Sequence, residues 1–92
     1  VGVRPRREWD VMAVVEDCRD GFIYCEQRNK FFKGDTLESL EPGKKPQSFV
    51  VTELFDENGE PTDSTPRAMM KFKIRSDLKF VPGTILRKQN IK

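Results

Sequence analysis

No stretch of ten or more residues in this chain carries apolar side chains at the spacing of a helix face. Short runs rich in Val, Ile, Thr and aromatic residues are instead cut every few positions by Gly, Pro, Asn and Asp, the chemistry of turns. Trp9 to Glu16 reads as a strand, Asp17-Cys18-Arg19-Asp20-Gly21 as a hairpin loop, and Phe22 to Gln27 as the returning strand. Thr36 to Leu40, Ser48 to Phe55, Met69 to Arg75 and Thr84 to Lys88 follow. Gly34-Asp35, Glu41 to Pro46, Asn58-Gly59 and Pro82-Gly83 supply the breaks between them. Asn58-Gly59 predicts a type I′ hairpin turn, because both residues tolerate positive φ. Six to seven short strands in 92 residues predict an all-β fold, a small antiparallel β-barrel, since closure is how such sheets avoid exposed edges.

The alternation is clearest in Met69 to Arg75, where Met70, Phe72 and Ile74 are expected in the core with Lys71, Lys73 and Arg75 outside. The first hairpin is different. Val11, Ala13 and Val15 alternate with Met12 and Val14, and Ile23 and Cys25 with Phe22 and Tyr24, so both faces are apolar. One face lines the core and the other needs a cover. Trp9, Phe22 and Tyr24 are the candidates for an outer docking patch. Residues 1–8, with Pro5 and three arginines, read as an interdomain linker or disordered tail, and residues 9–92 as one domain.

Composition excludes more than it assigns. Histidine is absent, which removes the commonest general base and the commonest metal ligand. Cys18 and Cys25 show no Cys-x-x-Cys spacing and no second pair, so zinc-ribbon and thioredoxin chemistry lack their ligands. With Cys18 placed in a turn and Cys25 along the next strand, reduced thiols are expected, and with them a cytoplasmic setting. The acidic loop Asp56, Glu57, Glu60 and Asp63 lacks the oxygen spacing of a calcium loop, because Asn58-Gly59 comes too early. Ser39, Thr52, Ser64 and Thr65 have no base to activate them, and Glu26, Glu38 and Glu53 are explained by charged strand faces. No catalytic residue, metal or cofactor is therefore expected. No apolar run has the length of a membrane span and no signal peptide is seen, so a soluble domain is expected. The missing initiator Met leads to the expectation that the chain was cut from something longer.

Charge is segregated along the chain. Residues 34–66 hold two Lys or Arg against eight Asp or Glu, whereas residues 67–92 hold eight against one. Either acidic and basic strands neighbour one another, or the basic segment meets a phosphate backbone. On the second reading the contacts for an anionic partner are Arg28, Lys30, Lys71, Lys73, Arg75, Lys79, Arg87 and Lys88. The run Glu26-Gln27-Arg28-Asn29-Lys30-Phe31 is the most distinctive. Arg28 and Lys30 can meet phosphates there, or Glu26 and Arg28 can form a surface ion pair.

That run, with Gly34-Asp35, Leu40-Glu41-Pro42-Gly43, Asp56-Glu57-Asn58-Gly59 and Pro61, resembles the C-terminal domain of the U32 peptidases, the collagenase-like family, over about residues 11–88. The resemblance implies an accessory barrel similar in kind to the second domain of elongation factor Tu, following an N-terminal catalytic domain with a cysteine-containing signature. None of that signature is present here. It implies a non-catalytic substrate-binding or docking role, with the N-terminal domain of the same parent chain as partner and protein substrate as ligand. Relatives that hydroxylate tRNA or ribosomal RNA bases imply an alternative, an RNA-binding module. A purely structural role is the third reading.

Overall fold

The computed structural model describes residues 7–91, and the first thirteen of these form a single strand, β1 (Arg7–Arg19). It is followed by β2 (Phe22–Gln27), β3 (Thr36–Leu40), β4 (Gln47–Val50), β5 (Leu54–Phe55), β6 (Lys71–Arg75) and β7 (Ile85–Ile91). All pairings are antiparallel, in one sheet of order β4-β3-β7-β1-β2-β6-β5. The all-β expectation is met. Residues 1–6 of the expected linker lie outside the described residues. Arg7 and Glu8 already pair with Ile91 and Asn90, so the sheet begins before Trp9.

Two bulges let β1 serve two neighbours. Its register slips between Val11 and Ala13 against β7, and between Val15 and Asp17 against β2, each leaving an extra residue that bends the strand. The first slip makes Met12 and Ala13 consecutive buried residues. It thereby decides which face of the hairpin is core. Ala13 and Val15 point inward with Ile23, Cys25 and Gln27, while Phe22, Tyr24 and Glu26 point out. Met70, Phe72 and Ile74 join the core as expected, with Phe31, Leu37, Val51, Leu54, Phe80 and Leu86.

The sheet is curled but not closed by a ladder. Seven strands laid flat would set β4 and β5 roughly 29 Å apart. Yet β4 ends at Val50 and β5 begins at Leu54, a step of at most about 14 Å. The sheet must therefore roll its edges together. The gap is bridged by loops: the Gly34 N–H donates to the Val51 carbonyl and the Val51 N–H to the Asp35 carbonyl. The Thr65 N–H donates to the Phe31 carbonyl, and the Thr62 N–H to the Leu54 carbonyl. The expected barrel is thus an open, curled sheet, because the segment expected as one strand over 48–55 is divided. Its first part pairs with β3 at one edge, its last with β6 at the other.

The turns also differ from expectation. The first hairpin loop is only Asp20-Gly21, with φ of 54° and 79°, and Arg19 pairs directly with Phe22. This is the type I′ geometry. Cys18 consequently lies in β1 opposite Ile23 rather than in a turn, and Cys25 lies opposite Val15. Both are thiols, and burial pushes the Cys25 thiol well up. Asn58-Gly59 does not form type I′: only Gly59 has positive φ, at 80°. Asp56 takes over the turn, its Oδ1 accepting from the Asn58 and Glu60 N–H groups at 2.9 and 3.0 Å. An Asx turn replaces the second positive-φ residue.

Candidate docking and anion-binding surface

The stretch Glu26 to Phe31 first anchors the bulged strand. The Met12 carbonyl accepts from the Arg28 and Asn29 N–H groups at 2.8 and 3.2 Å, and Asn29 Nδ2 donates to the Val11 carbonyl at 2.7 Å. Gln27 is buried and donates from Nε2 to the Thr65 carbonyl at 2.7 Å, while Thr65 Oγ1 accepts from the Phe31 N–H at 3.1 Å. Phe31 is fully buried, edge-on to Phe72. Most of this run is therefore scaffold. Arg28 and Lys30 alone keep exposed cations.

The ladder between β2 and β6 then assembles the outer face. Phe22 lies opposite Arg75, Tyr24 opposite Lys73 and Glu26 opposite Lys71, and Phe55 of β5 lies on the far side of Lys73. Phe22 meets Tyr24 and Phe55 edge-on, with ring centroids 6.4 and 5.7 Å apart. The Lys73 ammonium sits 4.3 Å from the Phe22 centroid, 5.7 Å from Tyr24 and 5.8 Å from Phe55. The Arg19 guanidinium covers Tyr24 at 4.3 Å. Each such cation–ring contact is worth about 0.5–1 kcal/mol at an exposed site.

Trp9 does not join this cluster. Phe22 lies opposite Arg19, ten residues along β1 from Trp9, which is roughly 30 Å of strand. Trp9 instead stacks under the Arg87 guanidinium at 3.8 Å, beside a groove of about 380 Å³ that Asp35, Glu38, Ser48 and Lys88 help to line.

Most of the candidate cations have carboxylate partners. Lys71 bonds Glu26 at 2.7 Å and also Glu16, Arg28 pairs with Glu26, and Arg75 Nε lies 3.3 Å from Glu53. Arg87 Nε reaches Glu38 at 3.1 Å and Lys88 reaches Asp35 at 3.1 Å. The Glu26 carboxyl is accordingly held below its ordinary range by Lys71 and then Arg28, and Lys71 is raised by Glu16 and then Glu26. Lys30 lies 5.2 Å from the Phe32 ring centroid, and Lys79 is exposed. Among the described residues, no cluster of three or more His, Cys, Asp or Glu is placed to hold a metal ion, and no helix is long and apolar enough to cross a membrane.

The sequence matches the family model described as peptidase family U32 C-terminal domain over residues 7–87. The chain belongs to family U32. It is an accessory C-terminal domain of such a peptidase. Two crystal structures share its fold, both of the C-terminal domain of a U32 peptidase from Geobacillus thermoleovorans. The selenomethionine variant has a TM-score of 0.80 at 23% identity, covering 86% of this chain and 99% of that one. The other has a TM-score of 0.74 at 22% identity, covering 87% and 92%. No curated protein matches.

Within this U32 domain, Leu40-Glu41-Pro42-Gly43 also has a structural task. Glu41 is buried, and its Oε2 accepts from the Val81 N–H at 2.8 Å. This ties the first Pro-Gly turn to the second, Pro82-Gly83. Residue-level reading missed Phe55 and Arg19 as members of the outer cluster. A strand running from Ser48 fixes no neighbour for Phe55, and a loop from Asp17 to Gly21 takes Arg19 off the sheet, whereas the structure sets Phe55 beside Lys73 and Arg19 opposite Phe22. The Thr52-Glu53 pair, breaking the apolar run, was the available signal for a strand end.

Proposed function

We propose that this domain docks through the outer face of β2, β5 and β6 onto the N-terminal catalytic part of its parent U32 peptidase, presenting protein substrate to it. One observation carries the reading: Phe22, Tyr24 and Phe55 form a half-buried ring cluster on the solvent side of the sheet, with cations laid over it. Mixed aromatic and Arg or Lys surfaces of this kind are rich in interface hot spots. The carboxylates already paired with Arg28, Lys71, Arg75, Arg87 and Lys88 favour a protein surface over a phosphate backbone, which would have to displace them. A reducing, cytoplasmic setting belongs to the same reading, given the two thiols. So does kinship with the translation-factor barrel, with its seam left open between β4 and β5.

The test is calorimetric titration of the 92-residue chain into the separately purified N-terminal portion. Binding that is lost in a Phe22→Ser/Tyr24→Ser variant supports docking. No heat with either form, or equal heats with both, overturns it. RNA binding is the second reading, favoured by Lys73, whose ammonium sits among three rings that bases stack on in single-strand readers. Its mark is tRNA affinity that falls steeply between low and moderate salt; affinity indifferent to salt counts against it.

A further inference from the structure

The pairing of β2 with β6 ends at Glu26 opposite Lys71, and one step beyond it on the same face stand Arg28 and Met69. Arg28 Nη1 donates to the Met69 sulfur at 3.5 Å. Met69 is unusual in two further respects. Its φ of 63° is left-handed, a conformation uncommon outside glycine, Asn and Asp and one that gathers at functional sites. Among the described residues it is also the most exposed large apolar side chain, at 58%, whereas Met12 and Met70 are buried, at 5% and 6%. The backbone after it is fixed, because the Met70 N–H donates to the Arg67 carbonyl at 3.3 Å and the Met70 carbonyl accepts from the Gln27 N–H at 2.8 Å. A side chain held outward in this way adds nothing to the core. Its thioether is open to oxidants, and a cation already lies on the sulfur.

We propose that Met69 is a modification site, oxidised by hydroperoxides to the sulfoxide in preference to Met12 and Met70, with Arg28 holding the new oxygen. In that step a sulfur lone pair attacks one peroxide oxygen, and the S–O bond forms as the O–O bond breaks. The departing hydroxide takes the proton of the transferred oxygen and leaves as water when the peroxide is hydrogen peroxide. Sulfur gives up two electrons and the peroxide takes them. The thioether sulfur is a weak acceptor, whereas the sulfoxide is polar and its oxygen can take a charge-assisted bond from the guanidinium. Arg28 can turn toward it without stranding a charge, because Glu26, its present partner, keeps Lys71 at 2.7 Å. Methionine sulfoxide reductases reverse the reaction, so the mark is a removable one.

Hydrogen peroxide added to the folded 92-residue chain, followed over time by peptide mass spectrometry, tests this. Cleavage after Arg67 and Lys71 leaves Met69 and Met70 in one peptide, so fragment ions assign the oxygen. Met69 is expected to oxidise at least about tenfold faster than Met12 and Met70, which react only when the structure opens around them. Unfolding the chain in urea is expected to level the three rates. Side-chain NMR reads the role of Arg28. Its guanidinium protons are expected to shift on oxidation, to return after treatment with the reductases, and to stay in place when peroxide is added to Met69→Leu. Equal rates in the folded chain, or Met12 or Met70 reacting first, overturn the proposal. So do Arg28 protons that ignore the oxidation of Met69, since the oxygen is then not held.

Discussion

Ile23, Cys25 and Gln27 point from β2 into the core, whereas Phe22, Tyr24 and Glu26 point from the same six residues into a field of cations. Both faces carry bulky apolar groups, so hydrophobicity alone does not separate them. The surroundings do. Inside, Ile23, Ile74 and Leu54 are wholly enclosed by other side chains, and the gain from leaving water is complete. Outside, rings are roofed by the ends of Lys73, Arg19 and Arg75, which shield part of the apolar area and leave the rest wet. A face of the first kind stabilises the fold. One of the second kind leaves apolar area that a partner, if it docks as proposed, would take out of water.

The sharpest way to break this contrast is Ile74→Ala on the inner face of β6. Ile74 is fully buried opposite Ile23, and truncation is expected to cost about 2–5 kcal/mol. Equilibrium urea unfolding measures it. A loss of well under about 1 kcal/mol would mean that the inner face is no better packed than the outer.

Thr65→Val ranks next. The change conserves shape but leaves the buried Phe31 N–H without its Oγ1 acceptor, at an expected cost of about 1–3 kcal/mol. The backbone carbonyl that holds Gln27 is kept in the variant, so an unchanged unfolding midpoint would contradict the scaffold role given to the Thr65 hydroxyl and Phe31.

These two sites also mark how far the sequence could be read. Ile74 was legible because strict alternation over Met70, Phe72 and Ile74 admits one inward face. Thr65 was not: it lies in a loop between prolines, and its partner Phe31 is 34 residues away, a relation that no local pattern encodes. The same limit explains the hairpin. Val11 to Val15 is apolar at every position, so the inward face depended on the bulge at Met12, and that bulge is held by Asn29 from another segment. Of the candidate cations, their positions on the outer face were foreseeable from alternation. Their neutralisation by Glu16, Glu26, Glu38, Glu53 and Asp35 followed from strand order, which sequence does not state.

A smaller effect comes from pH. The Glu41 carboxyl is held below its ordinary range by the Val81 N–H first and by Lys44 second. Because the folded value is the lower one, its stabilisation is present above the usual glutamate value of about 4.3 and fades as pH falls through the depressed value. Glu41→Gln should therefore be less stable than the parent near neutrality, with the gap narrowing in acid. A gap that stays constant from neutral to acidic pH would show that the carboxylate charge contributes nothing to joining the two Pro-Gly turns.

The smallest expected effect on folding falls on the outer face, at Tyr24. Tyr24→Ser removes a ring that touches Phe22 and carries the Arg19 guanidinium, but the ring is only half buried. The loss should be about 1 kcal/mol, the sum of one edge-on aromatic contact and one exposed cation–ring contact at their lower ends. Arg19 keeps its other partner, Asp17 at 2.7 Å, so no charge is stranded. The same substitution should weaken attachment to the catalytic portion far more than it weakens folding, since the ring's uncovered side is what a partner would desolvate. Measuring both quantities on one variant separates the two faces: equal losses would make Tyr24 a core residue in disguise, and a binding loss several times the folding loss would make it part of a docking surface.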